Sequence, residues 1–548
     1  MRFDLVLDDG VFFTVDPARP RVGSVAILGD RIVAVGERGE FARHDVGRTI
    51  DLQGAFVVPG FDDAHNHMEK FGSTLNQVPL GSEHVGSVEE IVAAIAARVD
   101  DTPAGVWIVG AGYDHNKLAE RRHPTRQELD RVSPDHPVLL DHTSGHFATV
   151  NSAAMRLARV GEVAVPEGGV VRLGDDGTPT GLLEEQAQQL VRTLLHPQSV
   201  STMVQNLGAA SDHYLTEGIT SCQEAGVGGI LGTSEPVEVA AYQAARRSGR
   251  LGVRVTMMAA VETLHGIDHH EDDDEPFALD LGLHSGLGDE WLKFGATKIF
   301  ADGSLLGCTA AMFEDFDGQP GNSGYFQMPE ERLHRIIRAA HRSGWQVATH
   351  AIGDRAVSSV LDAYEAALAE MPRGDHRHRI EHCGMCVADD VDRIARLGVI
   401  PTPQARFISE IGDGMRRAVG DARVGDCYRQ RSFLDAGVVV PGSSDRPVVN
   451  GSPLLGIHDL VNQRTADGDP FNPHEALTVD EAIRAYTLSS AYASFDEHRK
   501  GSITVGKLAD LTVLDRDLTD IDPESIADTR VLATMVGGEV AYDAAGLS

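Results

Sequence analysis

Apolar and polar positions alternate with a period of two along residues 1–58, in the runs FDLVLDDGVFFTVD, SVAILGDRIVAVG and GRTIDLQGAFVV. Asp-Gly and Gly-Asp turns separate them, so this stretch predicts a small β-unit. The far end of the chain repeats the pattern in GSITVGKLADLTVLDRD and RVLATMVGGEVAYD. Each end is too short to bury a core alone. The expectation is one β-sandwich domain built jointly from residues 1–58 and 498–548.

Over residues 59–497 the pattern changes. Apolar runs alternate with stretches whose apolar positions recur every three to four residues, as in MPEERLHRIIRAAHRSG and VADDVDRIARLG. Eight strand candidates stand out: FVVPGFDDAH, GITSCQEAG, RVTMMAAVE, LKFGATKIFADG, WQVATHAIG, HRIEHCG, GVIPTPQ and GVVVPGSSD. Strands alternating with helices predict an α/β fold, a closed (β/α)8 TIM-like barrel. The alternative, an open doubly wound sheet, has no Gly-rich phosphate fingerprint after its first strand. Residues 76–200 fall outside the strand count. They read as an insertion after barrel strand 1, a lid or subdomain over the barrel mouth.

Composition narrows the partners. The 548 residues carry a net charge of −34. Such a surface repels phosphate backbones and excludes nucleic acid. No run of about 18 apolar residues occurs, so no membrane span is expected. The N-terminus shows no basic-then-apolar signal. Five scattered cysteines form no disulfide framework and suit a reducing cytoplasm.

Candidate chemistry gathers at the strand ends. Side chains alternate along a strand, so His65 and His67 share one face at the end of the first strand. In a closed barrel that face opens into the mouth, where functional residues sit. His350 ends the fifth strand, His382 the sixth and Asp445 the eighth. Any one of them alone reads as a loop or turn residue. Together they form a set able to hold a divalent metal. Lys298 lies inside the apolar fourth strand, in a chain with only six lysines. Its stem could snorkel to water. Burial would instead lower its pKa, and a neutral amine can take up carbon dioxide as a carbamate that bridges two ions.

Three other stretches imitate functional motifs. GSITVGKL, residues 501–508, lacks the Ser or Thr that a phosphate loop places after its lysine. CGMC, residues 383–386, has no second cysteine pair. HHEDDDE, residues 269–275, reads as a solvated charge run.

The constellation resembles the amidohydrolase superfamily, in its YtcJ-like branch, the amidohydrolase-3 group that includes N-substituted formamide deformylases. VVPGFDDAHNHM, PVLLDHTSGHFATVNSAA, GTPTGLLEEQA, KIFADGSLLG, THAIGDRA, RIEHC, SSDRPV and GSITVGKLADLTVLDRD carry the resemblance over almost the whole chain. The family pattern places its acid at Asp63, with Asp62 in a variable position. The resemblance implies His65, His67, His350, His382 and Asp445 as metal ligands and Lys298 as a bridging carbamate. One or two divalent ions are expected, with zinc the default. The implied reaction is hydrolysis of a non-peptide C–N bond, amide or formamide-like, in a small molecule. Asp445 would accept a proton from the attacking water and pass it to the departing nitrogen. His146, Glu185, Asp302 and Gln404 are the candidate substrate contacts; loop hydrogen bonds and helix surface are their alternative uses. Arg446 would orient a substrate carboxylate or pair with an acid. A single-metal deaminase is the alternative enzyme; it would want a glutamate near the fifth strand, where the chain offers Asp354. A catalytically inactive binding barrel is the third. Barrels of this kind often pair, so a homodimer is expected.

Overall fold

The computed structural model of the chain describes residues 2–547 other than 83, 104, 143–146, 167, 168, 230–234, 236 and 273–275. The chain divides into two compact units. Residues 1–70, 210–233 and 237–548 make the first; residues 71–209 with 234–236 make the second.

In the first unit both chain ends meet in one eight-stranded sheet. Arg2–Phe13 is its organiser: it pairs antiparallel with Arg21–Leu28 and parallel with Asp45–Asp51 and Phe56–Pro59. The C-terminal strand Leu511–Leu514 joins by pairing antiparallel with Phe56–Pro59. Leu7, Phe12, Val25, Val57, Leu511 and Val513 from these strands share one buried cluster. The expected sandwich is thus hydrogen-bonded as a single sheet. The cause is the twelve-residue length of the first strand, which slips register between Asp8 and Phe12 and spans two partners in succession.

The barrel follows directly. We number its strands β1 Phe61–Asn66, β2 Ile219–Val227, β3 Arg254–Ala260, β4 Leu292–Phe300, β5 Val347–Ala351, β6 Arg379–His382 and β7 Ile400–Thr402. All six neighbouring pairs are parallel. Seven strands form where the sequence pattern predicts eight. The eighth candidate, ending at Asp445, runs extended beside β1 without forming a ladder. Ala64 donates to Gly442 O at 3.0 Å and Asp445 donates to His65 O at 2.7 Å. Pro441 has no N–H to give, and Asp445 sits at φ 60°, so regular pairing fails there. Helices cover the outside. Glu330–Arg342 buries Leu333, Ile337, Ala340 and His341, the spacing of one helical face.

The run FVVPGFDDAH, one strand by its pattern, is two strands in two sheets. Gly60 is the joint: its N–H goes to Asp510 O at 2.8 Å, while the next N–H, of Phe61, goes to Gly218 O at 3.0 Å. A Cβ on Gly60 would stand 2.2 Å from Thr220 Oγ1, so only glycine lets the chain pass. Buried ion pairs lock the junction. Lys500 Nζ meets Asp62 at 2.9 Å, and Arg254 forks onto Asp510 at 2.8 and 3.0 Å.

The second unit carries a six-stranded sheet in the order Gly169–Leu173, Pro179–Glu185, Phe147–Val150, Val138–His142, Ile108–Tyr113, Val78–Pro79. Helix Val88–Asp100, capped by Ser87, buries Val88, Ile91, Val92 and Ile95. The unit begins at Phe71 and ends at Ala209, each several residues outside the 76–200 span that the strand count predicts. Among the described residues no helix is long and apolar enough to cross a membrane.

Candidate metal centre

His65 is the penultimate residue of β1 and His67 the first beyond it. Asp445 meets both. Its Oδ1 lies 3.4 Å from His65 Nε2 and 3.2 Å from His67 Nε2. One donor atom from each of the three residues lies within 4.8 Å of the others. Lys298 Nζ, from β4, stands 3.3 Å from His65 Nε2. The His382 ring centroid is 5.0 Å from that of His65 and 4.4 Å from that of His350. All six residues implied as ligands therefore gather at one end of the barrel.

Partners behind the imidazoles decide which nitrogen is free to bind an ion. His65 Nδ1 donates to the Glu381 carboxylate, leaving the Nε2 lone pair toward Asp445. His382 Nδ1 donates to Gln404 Oε1 at 2.6 Å, leaving Nε2. His350 Nε2 donates to Gly303 O at 2.8 Å, leaving Nδ1. Glu224 Oε1 lies 3.8 Å from His67 Nδ1. Glu381 is itself gripped by Arg379, at 2.7 Å from Nε and 2.9 Å from Nη2.

Burial sets the charges. It lowers His67, takes His350 down to about 3 and holds His382 well below its usual range. These imidazoles are neutral, as ligation requires. Burial alone would raise Asp445, but the surrounding imidazoles of His65 and His67 outweigh it and hold the carboxylate ionised. Burial brings Lys298 down to about 8 against the pull of Glu381 and Asp445. Burial would raise Glu381 as well, yet Arg379 and then His65 keep it well below the carboxylate range. His382 at φ 69° and Asp445 at φ 60° occupy the left-handed region. For non-glycine residues that costs on the order of 1–3 kcal/mol each and persists where surroundings fix it, often at functional sites. Neutral nitrogens, an ionised carboxylate and a buried amine converging on one space fit a divalent ion.

The candidate substrate contacts fare differently. Asp302 accepts backbone N–H groups of Ala311, Ile352 and Gly353 at 2.8–3.0 Å, so its carboxylate braces loops. Gln404 holds His382 and ties to Thr402 O and Ser443 Oγ, which makes it a positioning residue. Glu185 lies exposed at the end of Pro179–Glu185 in the second unit. His146 lies outside the described residues. Arg446 is bidentate on Glu217 at 2.6 and 2.9 Å, the acid-pairing alternative. Asp354 Oδ1 accepts the N–H groups of Phe313 and Arg355, which serves the start of its helix.

Pattern analysis names Asp63 without its use and misses Arg379 and Glu381. Asp63 accepts Ser444 N–H at 3.0 Å and His65 N–H at 3.2 Å, coupling β1 to the loop that bears Asp445. Arg379 and Glu381 were readable in principle. Two opposite charges one residue apart in an apolar strand share a face and must pair if buried.

Comparison with known proteins agrees with this geometry. A model of the amidohydrolase family matches residues 48–542. The putative amidohydrolase YtcJ of Bacillus subtilis is 32% identical over 498 residues, 90% of each chain. The N-substituted formamide deformylase of Arthrobacter pascens is 31% identical over 559 residues, 99% of each chain. A crystal structure of an uncharacterized metal-dependent hydrolase from Pyrococcus furiosus superposes with a TM-score of 0.75 at 29% identity, covering 94% of this chain and all of the other. Three relatives named as deaminases match only 84, 66 and 66 residues.

Proposed function

The chain belongs to the amidohydrolase family, and from that premise we propose that it hydrolyses an amide or formamide-like bond of a small molecule at a divalent-metal centre. His65, His67, His350, His382 and Asp445 would hold the ion or ions, with zinc the default. The observation that carries this is the meeting of two imidazole nitrogens on one Asp445 oxygen, at 3.4 and 3.2 Å, beside a buried lysine. A divalent ion there supplies a water acidic near neutrality and a polarised carbonyl. Asp445 takes the proton of the attacking water and hands it to the departing nitrogen. Glu381 and Gln404 keep His65 and His382 in the tautomers that ligation needs. Lys298, lowered to about 8, has a neutral fraction at cellular pH that can add to carbon dioxide, lose a proton and become a carbamate. That anion would bridge two ions. Five free thiols suit a cytoplasmic enzyme, and a homodimer is the assembly we expect.

The test is a screen of N-formyl and N-acyl amines against the metal-replete protein and its His67→Ala variant. Release of free amine by the former, with a loss of at least about 100-fold in the latter, is expected. Equal rates in both proteins, or no release from any compound, would remove the assignment. Extra electron density on Lys298 Nζ checks the carbamate separately.

A further inference from the structure

A second group of metal-type donors lies wholly inside the second unit. Strands Ile108–Tyr113 and Val138–His142 are parallel neighbours, and their register pairs Tyr113 with His142. Parallel strands end at the same edge of a sheet. Asp114 and His115, the next two residues after Tyr113, therefore emerge beside His142. His115 Nδ1 stands 2.9 Å from His142 Nε2, and Asp114 Oδ1 lies 3.8 Å from that same nitrogen. One donor atom from each residue lies within 4.8 Å of the others. His142 is buried; the other two are half-buried.

Hydrogen bonds and ring contacts surround this group. Asp114 Oδ1 accepts the Asn116 N–H at 3.0 Å, which turns the loop back. His123 stacks on His115 with ring centroids 4.0 Å apart. Its Nδ1 is 2.9 Å from the hydroxyl of Tyr113, which also meets Thr149 Oγ1 at 3.0 Å. None of these residues is among the ligands or substrate contacts that the resemblance implies.

We propose that Asp114, His115 and His142 form a second divalent-metal site, built from residues other than those of the barrel centre and selective for a zinc-class transition ion. Two imidazole nitrogens and one carboxylate oxygen are the donors such ions prefer. Calcium and magnesium take oxygen ligands and are disfavoured here. With metal–nitrogen bonds of about 2.1 Å at roughly 90–110°, two ligating nitrogens stand about 3.0–3.4 Å apart, so the rings need open only slightly. The proton now shared between the rings moves to the other nitrogen of its own ring, and ligation needs no proton loss from either imidazole. Three protein donors leave at least one coordination position to water or to an anionic ligand, as an open site requires. The ion is expected to exchange and to steady the turn that begins at Asp114.

Metal content of the full-length protein tests this without reference to turnover. Wild type, His115→Ala and Asp114→Asn are equilibrated with zinc and then with cobalt(II), and ions per chain are counted by mass spectrometry. Each variant should hold one ion fewer than wild type, and the lost cobalt should appear as a difference in the visible spectrum. Equal ion counts in all three folded proteins would reduce the cluster to hydrogen-bonded imidazoles and overturn the proposal. Should a variant fail to fold, anomalous scattering at the zinc edge from zinc-saturated wild-type crystals decides. A peak between His115 and His142 supports the site, and its absence sinks it.

Discussion

Two imidazole clusters in one chain are supported in different ways. At the barrel mouth His65 leans on Glu381, which is clamped by Arg379, and His382 leans on Gln404. Those supports are buried in strands or at their ends. In the second unit His115 stands on a loop, with His123 stacked on it and Asp114 anchored to the backbone of its own turn. The contrast teaches where rigidity comes from. A ligand backed by a buried, charge-paired carboxylate has its tautomer and ring plane fixed before an ion arrives. A ligand on a loop is arranged largely by the ion itself, so affinity must cover the cost of ordering.

The strongest way to break that contrast is at Asp445. Asp445→Asn should lower kcat by about 10²–10⁴-fold, the span of a general acid–base group, while ion content by mass spectrometry stays nearly unchanged. Retained turnover would remove Asp445 from proton transfer. Next, Glu381→Gln should weaken ion binding at the barrel by about 10–100-fold in a chelator competition. An unchanged affinity would show that the buried carboxylate does not organise His65. Chelation should also empty the two sites in sequence, the second-unit ion first. The barrel ions should contribute the larger shift in melting temperature, since stabilisation grows as RT ln(1 + [L]/Kd); release in the opposite order would invert the comparison. The smallest effect is expected from Tyr113→Phe, which loses the hydroxyl contact to His123. Zinc affinity of the second site should fall by about fivefold or less, the worth of one neutral hydrogen bond. A larger loss, by the same competition, would mean that this cluster is as preorganised as the barrel.

Much of this was legible in the residues. Strand alternation marked both chain ends as β, and their shared shortness implied that they pair. His65 and His67 both reach Asp445, as alternation predicts, although His67 lies one residue past the end of its strand. The eighth strand misled because its apolar run continues to Val440, while Pro441 and the left-handed Asp445 deny it a ladder. FVVPGFDDAH misled for the opposite reason: its apolar pattern is continuous, but Gly60 hands consecutive N–H groups to two different sheets. Asp302 and Gln404 sit where substrate contacts are expected. Their hydrogen bonds, which no spacing rule reports, join them to loop backbone and to His382.

The sequence by itself determined which residue types could ligate an ion, which strand ends carry them, and that a barrel would alternate with helices. Local periodicity suffices for that, because side-chain direction follows from the backbone repeat. Only the tertiary structure decided which nitrogen of His65, His350 and His382 is engaged behind the ring, which backbone groups Asp302 accepts, and that Tyr113 and His142 end side by side. Those facts rest on contacts between residues dozens to hundreds of positions apart, and one-dimensional spacing carries no information about such distances.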